Sequence, residues 1–175
     1  MPTDESLMMS AKMGNLTTVS TLYMRHKVGL YNYFLRRTNS TDQSEDLIQS
    51  VFEKVIKYKH TYSAEVPFAP WLYRIAHNAH SDIYRKESLS LPGEEEINKL
   101  RSESEDEETG LEDKKKRLKI ALQKLSEEQR HLIIMTRYQQ MPYAEVALTL
   151  GCTEGAVSVK VHRAMKALKQ KVFNE

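Results

Sequence analysis

The chain has 175 residues, 40% of them hydrophobic and 29% charged, with a formal net charge of +2. That length allows one domain or two small ones with modest cores, and no apolar run approaches the length of a membrane span, so no direct membrane insertion is expected. The single cysteine, Cys152, excludes an intramolecular disulfide and points to a reducing compartment, and the opening Met-Pro-Thr-Asp-Glu lacks the basic and apolar regions of an export signal.

Asp4 to Met13 is predicted to form a short helix closed by Gly14, with Asn15 capping a longer one to about Arg37 whose buried side is Leu22, Leu30, Tyr31 and Phe34. Asp42, followed by Glu45, has the spacing of a capping box ahead of a helix from Glu45 to Tyr58. Leu47, Ile48, Val51, Phe52, Val55 and Ile56 give that helix a wide apolar face, and Asp46, Gln49 and Glu53 a polar stripe opposite. A loop, Lys59 to Ala69, leads to a helix in which Pro70 occupies the first turn, where no amide bond is lost. The helix runs to Lys86 with Leu72, Ile75, Ala76, Ala79 and Ile83 inward. Its other side carries Arg74, His77, Asn78, Ser81, Arg85 and Lys86, a mixture suited to unpaired bases, since single strands are held by stacking and positive charge together. Phe68, Trp71 and Tyr73 fit either stacking or the core. His77, His80 and Asp82 lack the further ligand that a metal site would need, so no metal and no cofactor is assigned.

From Ser88 to Asp113 the pattern dissolves. Residues 93–113 hold ten acids against Lys99 and Arg101, so the rest of the chain carries +10; this stretch is too charged and too poor in aromatics to pack. From Lys114 onward thirteen Lys and Arg face five acids, the balance of a phosphate-binding module. Leu111, Leu118, Leu122 and Leu125 resume helical spacing, and Ser126 with Gln129 forms a capping box for a helix to about Gln139 that buries Leu132, Ile133 and Met135. Tyr143 to Leu150 makes a short helix with Val146, Ala147 and Leu150 inward, Gly151 ends it, and Thr153 caps the next. In that last helix, Glu154 to Lys169, the apolar stripe is Val157, Val161, Ala164 and Leu168. Opposite it lie Ser158, Val159, His162, Arg163 and Lys166. Such a helix fits the major groove, where Arg bonds guanine bidentately and Val packs on a thymine methyl. The chain thus reads as all-α: two small helical domains, a bundle (1–87) and a helix-turn-helix unit (114–175), joined by an acidic flexible linker (88–113). From these residues alone, a dimeric operator-binding regulator and a metal-dependent hydrolase using His77, His80 and Asp82 are the competing readings.

The stretches Asp42 to Phe52, Phe68 to Asn78 and Tyr143 to Leu168, in that order around a linker, resemble an extracytoplasmic-function (ECF) sigma factor of the sigma-70 superfamily. The resemblance implies a bacterial, cytoplasmic transcription initiation factor that is not an enzyme, takes no small-molecule substrate, and binds core RNA polymerase and promoter DNA under an anti-sigma factor. It implies polymerase contacts at Asp46, Gln49 and Glu53, a flipped minus-10 base at Asn78 with Phe68 beside its pocket, and minus-35 contacts at Thr153, Ser158, Lys160, His162 and Arg163. His77 stands where Arg is common in the family, and Ser158 and Val159 where basic and hydroxyl residues are common.

Overall fold

The structure, a computed structural model, describes residues 1–90 and 110–173, with side chains in the first stretch described to Lys86. Every regular element among them is helical. The first helix, α1 (Asp4–Lys12), is capped by the Thr3 hydroxyl, which accepts from Ser6 N, and buries Leu7, Met8 and Ala11. The long α2 (Thr17–Thr38) starts one residue later than the sequence predicts: Leu16 is the cap position, while Asn15 Oδ1 accepts from the Thr17 hydroxyl. On α2 Tyr33, not Tyr31, is the enclosed tyrosine, and Arg37 is buried with it.

Helix α3 (Thr41–Tyr58) is capped by Ser40, whose Oγ accepts from Gln43 N, a full turn ahead of the predicted start at Glu45. Ser40 can cap because Asn39 turns the chain through the left-handed region at φ 54°. Leu47, Ile48, Val51, Phe52 and Val55 are buried as their spacing requires, whereas Ile56 stays 38% exposed on the wall of an open groove between α2 and α3. After a 3-10 turn at Lys59–Thr61 the chain enters α4 (Phe68–Ser90), whose first free amide, Phe68 N, is satisfied by Glu5 Oε1 of α1 at 3.0 Å.

The acidic run from Glu94 to Glu108 lies outside the described residues. Helix α5 (Gly110–Gln123) begins inside the stretch expected to be linker and buries only its far end, Ala121 and Leu122, leaving Leu111 62% exposed. The predicted capping box opens α6 (Glu127–Ile133). At Ile134–Tyr138 the helix widens to a π turn: Gln139 N reaches Ile134 O at 2.9 Å, while Thr136 Oγ1 donates to Leu132 O at 2.7 Å. Helices α7 (Tyr143–Leu150) and α8 (Glu154–Phe173) complete the chain.

The two helical units share one core. Leu72 and Ala76 of α4 belong to the same cluster as Leu132, Ile134 and Met135, with Val146 and Ala147 of α7 and Val157 and Val161 of α8. A second, smaller cluster, Ala121, Leu122, Leu125, Ile133, Ala164 and Leu168, anchors α5 under α8. The two units thus pack directly on one another.

Candidate nucleic-acid interface

The turn between α7 and α8 is built as its residues demand. Gly151 sits at φ 67°, where a side chain would be strained, Cys152 N closes on Ala147 O at 3.1 Å, and Thr153 Oγ1 accepts from Ala156 N at 3.2 Å. This fixes α8 across α7. Its stripe of Val157, Val161, Ala164 and Leu168 is buried, and Ser158, Val159, Lys160, His162, Arg163 and Lys166 are all exposed on the other side. Val159 is 51% exposed, an open β-branched side chain among bases. Thr153 is exposed as well, although its hydroxyl is already engaged as a cap. Lys160 Nζ lies 2.6 Å from Glu128 Oε1 of α6; the hydrogen bond and charge of that carboxylate raise the ammonium above its ordinary pKa.

On α3, Asp46, Gln49 and Glu53 are exposed along one stripe, and Gln49 Nε2 donates to Glu53 Oε1 at 3.2 Å. Beside the stripe runs a groove of about 790 Å³ between α2 and α3, floored by Tyr23, Val28, Tyr31, Ile48, Phe52 and Ile56. Sequence periodicity found the stripe but not the groove, because the groove needs residues of two helices.

The residues of α4 predicted to handle single-stranded DNA divide in three. Asn78 and Arg85 are exposed and Ser81 is half-buried. Phe68 is fully enclosed, its ring 5.3 Å from that of His26 and 6.0 Å from those of Tyr62 and Trp71, so it holds the loop in place from within. Arg74 and His77 turn toward the second unit: the Arg74 guanidinium donates to the carbonyls of Leu148 and Thr149 at the end of α7, and the His77 ring stacks on that of His131, 4.2 Å apart and 6° from parallel.

His131 belongs to a buried polar cluster that periodicity did not single out. Arg37, with no exposed side-chain surface, donates to the Tyr33 hydroxyl and forms an ion pair with Glu127 of α6. Tyr33 Oη lies 3.0 Å from His131 Nε2, and Arg37 Nη1 lies 3.4 Å from His77 Nδ1. His80 Nδ1 is 3.4 Å from Glu127 Oε1 but not aligned for a hydrogen bond. Burial lowers the pKa of all three histidines, helped by the Arg37 charge: His80 falls to about 4, His131 lies well below the ordinary imidazole range, and His77 is lowered too. Burial also pushes Tyr33 up to about 12. The signal available in the sequence was a histidine directly before the apolar run Leu132 to Met135, and an arginine on the apolar side of α2. As for the three residues considered for metal, His77 stacks on His131, His80 faces Glu127 and Asp82 pairs with Lys54 and Arg85; among the described residues no group of three or more His, Cys, Asp or Glu is placed to hold an ion.

A short helix, a glycine turn and a capped helix with an open basic face define a DNA-reading helix-turn-helix protein, here attached to a helical unit with its own exposed polar stripe. Comparison with known proteins is specific. The Sigma-70 region 2 family model matches residues 22–89 and the Sigma-70 region 4 model residues 116–168. Similar curated proteins include the ECF RNA polymerase sigma factor SigF of Caulobacter vibrioides, 30% identical over 148 residues (83% of this chain, 80% of the relative). RNA polymerase sigma factor YlaC of Bacillus subtilis is 25% identical over 157 residues (87% and 91%). Among solved structures, CnrH in complex with the cytosolic domain of CnrY aligns at a TM-score of 0.73 and 25% identity, covering 95% of this chain and 94% of that one. RpoE in complex with the anti-sigma factor NepR from Bartonella quintana aligns at 0.65 and 22% identity, covering 89% and 96%. The chain belongs to the sigma-70 family, as an ECF RNA polymerase sigma factor.

Proposed function

We propose the following division of labour within this sigma factor. Helix α8 reads the minus-35 duplex from the major groove: Arg163 and His162 address base edges, Val159 packs on a thymine methyl, and Ser158, Lys160, Lys166 and Thr153 hold phosphates or edges at the rim. Asp46, Gln49 and Glu53, beside the apolar groove of α2 and α3, dock on core RNA polymerase. Asn78, Ser81 and Arg85, joined by Arg74 and His77 once these are released, hold unpaired minus-10 bases, with Phe68 keeping their loop in shape. Strand opening then needs no enzymatic activity of this chain: extruding a base costs a few kcal/mol, which stacking and hydrogen bonding in a protein site offset. The factor works in the bacterial cytoplasm with polymerase, under an anti-sigma factor of the kind that RpoE of Bartonella quintana binds.

The observation that supports this reading best is α8 itself, whose predicted DNA-facing residues are all open while its stripe is buried. Selection of minus-35 sequences by holoenzyme tests it. Arg163→Ala should relax preference at one or two adjacent base pairs, and Lys166→Ala should weaken binding evenly and lower the salt dependence. An unchanged sequence preference in Arg163→Ala would refute the assignment of α8.

A further inference from the structure

The face of α4 carrying Arg74 and His77 has two incompatible occupants. In this structure the second helical unit packs along it, leaving Arg74 exposed but engaged: Thr149 Oγ1 donates to Pro70 O at 3.4 Å, Tyr73 donates to Gln139 at 2.8 Å, Arg74 bonds the end of α7, and His77 stacks on His131. Gln139 also donates to Gly29 O at 3.2 Å, and a side chain at Gly29 would come within 3.2 Å of the Tyr73 hydroxyl, so α2 closes against this seam as well.

We propose that the second unit is an intramolecular inhibitor of the melting surface on α4, held there by a latch of Arg37, Glu127, His77 and His131 that protonation of the two stacked histidines opens. The inference deepens the reading of α4 as the minus-10 surface and rests on it. Hydrogen-bond geometry requires neutral rings. Arg37 has only protons to give, so His77 Nδ1 receives one and must be bare. The Tyr33 oxygen accepts from Arg37, and its own proton finds an acceptor in His131 Nε2. Among the described residues, the titratable and charged groups facing the rings are Tyr33 and Arg37 from α2, His77 and His80 from α4, and Glu127, Arg130 and His131 from α6. Glu127 is the one carboxylate in this set, and it already serves Arg37 and lies 3.8 Å from Arg130. A proton on either stacked ring therefore adds a cation beside Arg37 with no free anion among the described residues to meet it. In the open state the same rings meet water and return toward ordinary basicity. Closure is thus complete above about pH 6.5 and weakens below it, His77 and His131 each changing the opening constant by up to about tenfold per pH unit.

The test is the distance between spin labels at Lys57→Cys on α3 and Lys169→Cys on α8, in a Cys152→Ser background, measured on the full chain alone. A single short distance near pH 7.5 that gives way to longer, broader distances toward pH 5, with helical circular dichroism retained, is the expected result. The His77→Gln/His131→Gln variant, which keeps neutral side chains, should lose most of that response, and Glu127→Gln should shift opening to higher pH. A distance unchanged to pH 5, or a shift identical in the double variant, would overturn the latch. Since no polymerase is present, this outcome is independent of the sigma-factor reading, which transcription with core enzyme near pH 7.5 decides separately. Where wild type does transcribe, the free Glu127→Gln chain should bind unpaired minus-10 strand several-fold tighter than wild type near pH 7.5, and equal affinities would overturn the inhibitory role.

Discussion

Glu5 shows how much one side chain far away in sequence can organise. It lies on α1, before the stretch matched by the region 2 family model, yet its carboxylate caps α4 through Phe68 N. That backbone hydrogen bond is the main reason its pKa is lowered, so its contribution is present above its ordinary pKa and lost as pH falls through the lowered one. Glu5→Ala should cost about 0.5–2 kcal/mol of stability in urea unfolding, with Glu5→Gln recovering much of it because an acceptor remains. An Ala variant as stable as wild type would mean that water replaces the cap. On α8 the residue scale was readable in advance. Ser158, His162, Arg163 and Lys166 stand a helical repeat away from the buried stripe, and spacing alone identifies such a face. At Phe68 it was not: an aromatic at a loop end fits a base pocket or a core equally well, and only the rings of His26, Tyr62 and Trp71 around it decide for the core.

At the scale of elements, caps and turns carry the helix-turn-helix. The sequence specifies this unit well because its signals are local: Ser126 with Gln129, Pro142, Gly151 and Thr153 each act within four residues. Gly151→Ala forces a β-carbon into the left-handed region and should destabilise the protein by about 1 kcal/mol or more, read as a lower melting temperature. Leu132→Ala, in the core beneath the recognition helix, should cost about 2–5 kcal/mol, and a smaller loss would mean that the site collapses around the gap. The start of α3 was less legible, since Asp42 and Glu45 have the spacing of a capping box while the cap is in fact the Ser40 hydroxyl. The π turn at Ile134–Tyr138 has no periodic signature at all. Within it Thr136 Oγ1 bonds the Leu132 carbonyl, a contact that competes with the backbone ladder.

The whole molecule adds what neither residues nor elements disclose, the packing of one unit on the other. Tyr33 meets His131, and Arg37 meets Glu127, across a linker that severs any pattern between them. Composition reports only that the linker is acidic. The consequence is a pH dependence of stability. Because burial depresses His77, His80 and His131, stability is fully present above their ordinary pKa near 6.5 and is lost as pH falls toward the folded values, about 4 for His80. His80 alone contributes up to about 3 kcal/mol by this route, and thermal melting from pH 8 to pH 5 should fall accordingly. Melting unaffected over that range would mean that the rings are already solvated. On the proposed latch, opening precedes promoter melting, whereas the basic face of α8 and the polar stripe of α3 are exposed in the closed arrangement.

The most direct measurement is run-off transcription on genomic fragments by core RNA polymerase, with and without the protein, beside an Asp46→Ala/Gln49→Ala variant. Specific transcripts that require the protein, and that weaken in the variant while its fold and its DNA face are intact, are the predicted result. Transcripts of equal strength from the variant would contradict the docking surface, and the absence of any protein-dependent transcript would contradict the account of initiation as a whole.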